Sequence, residues 1–186
     1  MATKASFEQN FRPGLLSDAD PEALAAPCGL PEAARTQIAE KMNQLIADAY
    51  VLYAKTKNFQ WHVSGPNFGE FQRLLDEQSR QIIATVDALA ERVRKLGHPT
   101  VTSLSRALEL STIEENKRAF NAPGEMLKEL MEDNIACSKA TRELHELCDQ
   151  HEDAASAAFL EEHIDAAEQR VWFLFEEHLS VHKGGH

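Results

Sequence analysis

The sequence predicts an all-α protein: four long helices in one bundle, with a short helix in the crossover between the second and the third. Three observations carry this. Apolar residues recur at three- and four-residue steps through four long stretches, the period of a helix that buries one face. Helix-stopping residues separate the stretches, at Gly65-Pro66, Gly97-His98-Pro99 and Pro123-Gly124. No run alternates apolar and polar residues as a half-buried strand would.

The first long helix opens at Pro31, whose missing N–H is no loss in a first turn. Ile38, Met42, Leu45, Ala49, Leu52, Thr56 and Phe59 form its buried stripe, over about eight turns. The second runs from about Asn67 to Leu96, with Phe68, Phe71, Leu75, Ile82, Val86, Leu89, Val93 and Leu96 on its core face. The short turn at Ser64-Gly65-Pro66 makes these two antiparallel neighbours. Residues 98–122 form a long connection with a short helix near Leu104–Leu110. A connection of this length crosses the bundle end to end, as in ferritin-like folds. The third helix follows Pro123-Gly124, with Met126, Leu130, Ile135, Cys137, Leu144 and Cys148 inward. The fourth begins near Asp153, carries Phe159, Ile164, Ala167, Val171, Trp172, Leu174 and Phe175, and frays at Lys183-Gly184-Gly185.

The 186 residues thus divide into an N-terminal tail (1–31), a bundle (32–182) and a C-terminal tail (183–186). Pro13-Gly14, Pro21, Pro27, Gly29 and Pro31 break any helix in the first tail, while Phe7, Phe11, Leu15 and Leu16 could pin it to a body or a neighbouring subunit. That tail is net acidic, and the whole chain carries −11. This balance disfavours general nucleic-acid binding, because affinity for phosphate comes from Lys and Arg. It suits a protein that handles cations or builds a soluble shell. Cys137 and Cys148 lie roughly 16 Å apart along one helix, too far to bridge, and Cys28 stands alone. Reduced thiols in the cytosol are expected. No window holds 18 apolar residues and the N-terminus lacks an apolar signal core, so neither membrane spanning nor export is expected.

Asp87 and Glu91 stand four apart, so both carboxylates leave one face of the second helix. They are hard oxygen donors for a divalent or ferric ion, or else a solvated charge pair that Arg92 and Arg94 neutralise. With Gln72 and Asp76 they form a stripe about 100° round from the core face, aimed at the bundle edge or at a second subunit. Nucleophilic triads, P-loops and Rossmann fingerprints are missing. So is any E-x-x-H, which argues against the intrasubunit di-iron site of larger ferritins.

The run W-x-V-x-G-x-x-F at Trp61, Val63, Gly65 and Phe68, then Asp76, then D-x-x-x-E-R at Asp87, Glu91 and Arg92, resembles the Dps mini-ferritins. The resemblance covers about Pro31 to Ser180 in layout and is specific over Lys57–Leu96. It implies a cytoplasmic protein, nucleoid-associated in some members, that forms a hollow dodecamer. Its iron sites would lie between two-fold related subunits, oxidising iron(II) with hydrogen peroxide and storing ferric mineral inside. In the family pattern one subunit gives two His from the first and second helices, and its partner gives the Asp and Glu of D-x-x-x-E.

Carried over by position, Asp87 and Glu91 match the carboxylate ligands and Asp76 the assisting Asp, while the two His positions hold Gln60 and Gln72. An amide oxygen is a poorer iron(II) donor than imidazole. The expected site is therefore altered or weakened, with Gln60 and Gln72 as weak donors or placeholders, or hydrogen-bonded to each other across an interface without metal. A non-catalytic protective shell is the alternative. DNA is a partner of many family members, and the acidic balance argues against it here.

Other residues read more plainly. His62 suits a capping or surface role. His178 and His182 are four apart but lack a third fixed donor, His145, His151 and His163 have no ligand partner at helical spacing, and His186 lies beyond two glycines. Ser156-Ala157-Ala158 stands where the family often places an acid of the iron channel, with Asp149, Glu152 and Asp153 nearby to supply that charge. Glu70 and Glu77 are cavity acids or surface acids. Trp61 and Trp172 are expected to pack or to sit at subunit contacts.

Overall fold

The computed structural model describes residues 24–118 and 120–183, the side chains of His182 and Lys183 apart. The expectations for Phe7, Phe11, Leu15 and Leu16, for the pinch between His178 and His182, and for His186 fall outside the described residues. Among the described residues five helices follow in order: α1 (Glu32–His62), α2 (Phe68–Lys95), α3 (Leu104–Leu110), α4 (Pro123–Gln150) and α5 (Ala154–Lys183). There is no strand among the described residues. The all-α bundle with a short crossover helix is what the periodicity predicts.

Two antiparallel hairpins, α1–α2 and α4–α5, pack side by side, and α3 lies against α1. Gly65 takes φ +110° in the first turn, a conformation that a side chain would strain. Gly97, at φ +84°, stops α2. A Cβ there would meet the Ala26 nitrogen at 3.1 Å. Pro123 is the first residue of α4, and Glu125 accepts the Ala122 N–H at 3.4 Å. Glu152 turns the chain between α4 and α5 with φ 59°.

Every stripe residue of α1 from Ile38 to Phe59 is buried, as are Phe71 through Leu96 on α2. Each fully buried Leu, Ile or Phe of this core contributes about 2 kcal/mol. Two expectations fail: Phe68 and Ile135 are exposed, at 46 and 50%, and on α5 Trp172 and Phe175 are exposed as well, at 59 and 44%. Phe68 opens α2 above the end of the core, and Ile135, Trp172 and Phe175 line a shallow groove on the outer side of α4 and α5.

Polar groups staple the hairpins together. Lys55 on α1 reaches Glu129 at 2.9 Å and Asp133 at 2.7 Å on α4. Burial alone would push the Lys55 pKa down, but the hydrogen bonds to both acids outweigh it and hold it above the ordinary value. Asp48, in the middle of α1, accepts the Thr112 N–H at 2.5 Å, the Ile113 N–H at 3.2 Å and the Ser111 hydroxyl at 2.9 Å. It thereby gathers the donors just after α3 onto one carboxylate. Near the middle of the bundle Arg170 donates to Asn134 at 2.7 Å, and Gln78 donates to the Arg170 carbonyl at 3.2 Å.

Candidate metal centre

α1 and α2 bring Gln60 and Asp76 to one place near the hairpin turn. Gln60 is buried and Asp76 half-buried, and the Lys57 ammonium stands between them. Lys57 donates to the Gln60 side-chain oxygen and lies 3.2 Å from Asp76 Oδ1. It also sits 5.8 Å from the centroid of the Trp61 ring. Arg80, one turn along α2, pairs with the other Asp76 oxygen. The Asp76 carboxylate is thus already matched by two cations of its own chain.

Asp87 and Glu91 stand elsewhere. Three helical turns, about 16 Å, separate Asp76 from Asp87 along α2. Both are exposed, and among the described residues Glu91 pairs only with Lys95, at 3.4 Å. Gln72 is exposed and, within one chain, makes no bond to Gln60. One chain therefore holds two half-sets of donors, Gln60–Gln72–Asp76 and Asp87–Glu91. Among the described residues, no group of three or more His, Cys, Asp or Glu side chains of a single chain could hold a metal ion.

Arg92 does not neutralise this acid stripe. It donates to Asp153 Oδ1 and to Ser156 Oγ, both at 2.7 Å. Asp153 is buried and accepts the Ser156 N–H at the start of α5. It acts as a helix cap and is not available to line a channel as expected. Arg94 serves the carbonyls of His98 and Leu24. His62 donates to the Asn58 carbonyl at 2.8 Å on an exposed face, in keeping with a surface role. His178 donates to the Gly124 carbonyl at 3.1 Å. His145 departs from expectation: it lies 3.4 Å from Asp149, at helical spacing, and 3.5 Å from Glu161 on α5.

Lys57 is the residue that sequence reasoning missed. A signal was present, since Lys57 is three positions before Gln60 and four before Trp61, on one helix face. Its meeting with Asp76 depends on how α1 and α2 pack, which spacing does not specify.

The sequence family described as the ferritin-like domain matches residues 39–181. The DNA protection during starvation protein of Helicobacter pylori is 31% identical over 142 residues, 76% of this chain and 97% of the relative. The chain belongs to the Dps family of ferritin-like proteins. A low temperature-induced protein of Nostoc shares 31% identity over 147 residues, 78% of this chain and 82% of the relative. A solved Dps structure from Bacillus brevis superposes with a TM-score of 0.74 at 28% identity, over 77% of this chain and 96% of that one. Antigen TpF1 of Treponema pallidum gives 0.76 at 27% identity, over 81% and 96%.

Proposed function

We propose that the protein is an iron-binding and iron-storage mini-ferritin whose iron(II) site is completed between two subunits of a dodecameric shell. The observation that carries this reading is the division of donors within one chain. Asp87 and Glu91 are presented on the exposed face of α2, and Gln60, Gln72 and Asp76 lie about 16 Å or more away. A partner that brings its own Gln60 half-set to Asp87 and Glu91 would make an oxygen-rich pocket. The exposed Trp61, Phe68, Leu104 and Leu108 support assembly, since exposed large apolar side chains favour burial against a partner.

The substrate is iron(II). Two ions give one electron each to hydrogen peroxide, which takes up two protons and leaves as two waters. The ferric product is retained as mineral in the shell. Carboxylates favour iron(III) over iron(II), which assists electron loss, and the missing imidazoles weaken capture of iron(II) beforehand. The expected activity is therefore slow oxidation compared with a site that holds two His.

The test is iron(II) loading of the purified protein with peroxide, following ferric absorbance and particle size. Asp87→Asn with Glu91→Gln should abolish the oxidation while leaving the particle and its melting unchanged, because both side chains are exposed. Normal mineralisation by this double variant would sink the assignment.

A second reading is a non-catalytic protective shell. The ammonium of Lys57 between Gln60 and Asp76 favours it, because a built-in cation already matches that carboxylate. The name of the Helicobacter relative points to DNA protection. The net charge of −11 argues against direct duplex contact, so no gel retardation of free DNA is expected at neutral pH and low salt.

A further inference from the structure

A small cavity of about 40 Å³ lies between the four long helices, away from the acid stripe of α2. Leu45, Leu52, Ile82 and Leu89 form its apolar wall. Its volume exceeds the roughly 10–15 Å³ that one water requires. Arg170 enters it from α5 with only 6% of its surface exposed. The Nε of Arg170 donates to Asn134, whereas Nη1 is buried with no acceptor on the protein. Among the described residues no carboxylate pairs with this guanidinium.

The other groups that line the cavity are neutral, and Asp48 and Asp133, near enough to act on Cys137, do not pair with Arg170. Burial pushes the Cys137 thiol up to about 12, so at neutral pH it is an S–H donor beside Arg170. His163 donates its Nδ1 proton to the Phe159 carbonyl at 2.9 Å, and burial lowers its pKa, leaving a neutral ring whose Nε2 has no donor. Gln78 Oε1 is also unpartnered, but an amide is neutral. Burial lowers the Arg170 pKa as well, yet a guanidinium keeps its proton in proteins. A full positive charge therefore faces an apolar cavity, one donor unused and no counter-charge supplied by the chain.

We propose that this cavity binds one small monovalent anion of chloride size, held by Arg170 Nη1 with the Cys137 S–H as second donor. A water would satisfy the hydrogen bond and leave the charge unmatched, whereas an anion does both. The polyatomic oxyanions are too large for the space. The site is independent of iron and of the acid stripe, so it stands whether or not the shell oxidises iron.

Bromide soaked into crystals of the full chain should give an anomalous peak within hydrogen-bond distance of Arg170 Nη1. A water there, in crystals whose surface sites take bromide, would overturn the proposal. In solution the melting temperature should be about 5 °C higher in sodium chloride than in sodium gluconate of equal ionic strength. Arg170→Met should melt cooperatively and lose that difference. An unchanged chloride effect in the variant would equally overturn the assignment.

Discussion

Arg92 Nη2 lies 2.7 Å from Asp153 Oδ1, so the arginine that follows Glu91 in the chain is bound to the start of α5 and not to the acids beside it. The final position of D-x-x-x-E-R is a structural pin between two helices, and it leaves the Asp87–Glu91 face uncompensated by any arginine.

Removing that pin has a calculable effect. Asp153→Ala deletes a helix cap and strands Arg92, which is only 20% exposed. The expected loss is about 3 kcal/mol. Urea unfolding at one fixed protein concentration measures it, and a loss below about 1 kcal/mol would show that the cap and the ion pair are dispensable.

Lys57 holds the place a cation would need at Gln60 and Asp76. Lys57→Met should tighten binding of cobalt(II), a redox-inert probe in air at neutral pH, by at least about tenfold. Calorimetric titration of the two proteins decides the matter. Equal affinities would mean that the ammonium does not compete for this half-set.

Restoring nitrogen donors should restore speed. Gln60→His with Gln72→His supplies two imidazoles where the chain now offers amide oxygens. The initial rate of iron(II) oxidation by peroxide should rise at least about tenfold. A rate equal to that of the parent would place the activity elsewhere on the protein.

Stability should also fall in mild acid. The folded pKa of His163 is lowered, so below the ordinary His value of about 6.5 the unfolded chain binds more protons than the folded one. This contribution is fully present above pH ~6.5 and is lost as pH falls through the lowered folded pKa. His163→Gln should flatten the melting temperature between about pH 7 and pH 5 relative to the parent. Parallel pH profiles would exclude His163 as the source of acid sensitivity.

Periodicity made the helices legible. The α1 stripe from Ile38 to Phe59 is buried throughout, and Leu104–Leu110 forms a helix at the expected bounds. Apolar character alone misled at Ile135, because a helix with apolar residues on two sides does not declare which side faces inward. The acids of the site were legible as residue types at a spacing. Their charge partners were not, since Lys57–Asp76 and Arg92–Asp153 arise only when separate helices are packed. The buried Asp48, Lys55 and Arg170 were invisible for the same reason: side-chain chemistry favours the surface, and only the neighbours supplied by the fold permit burial.

Asp48 fixes where the crossover lands. Two backbone N–H groups and two hydroxyls from Ser111 to Ile113 converge on one carboxylate in the middle of α1. The connection is therefore measured from both sides of that point. Between Leu110 and Ile113 its length is set to the residue, and an inserted amino acid would have to detach every one of those donors. Glu114 and Glu115 just beyond are exposed, so added length there would loop into solvent before Asn116, which Asn58 on α1 and Glu129 on α4 hold. A change in one stretch would disturb the meeting of the two hairpins, and the same change a few residues later would leave it alone.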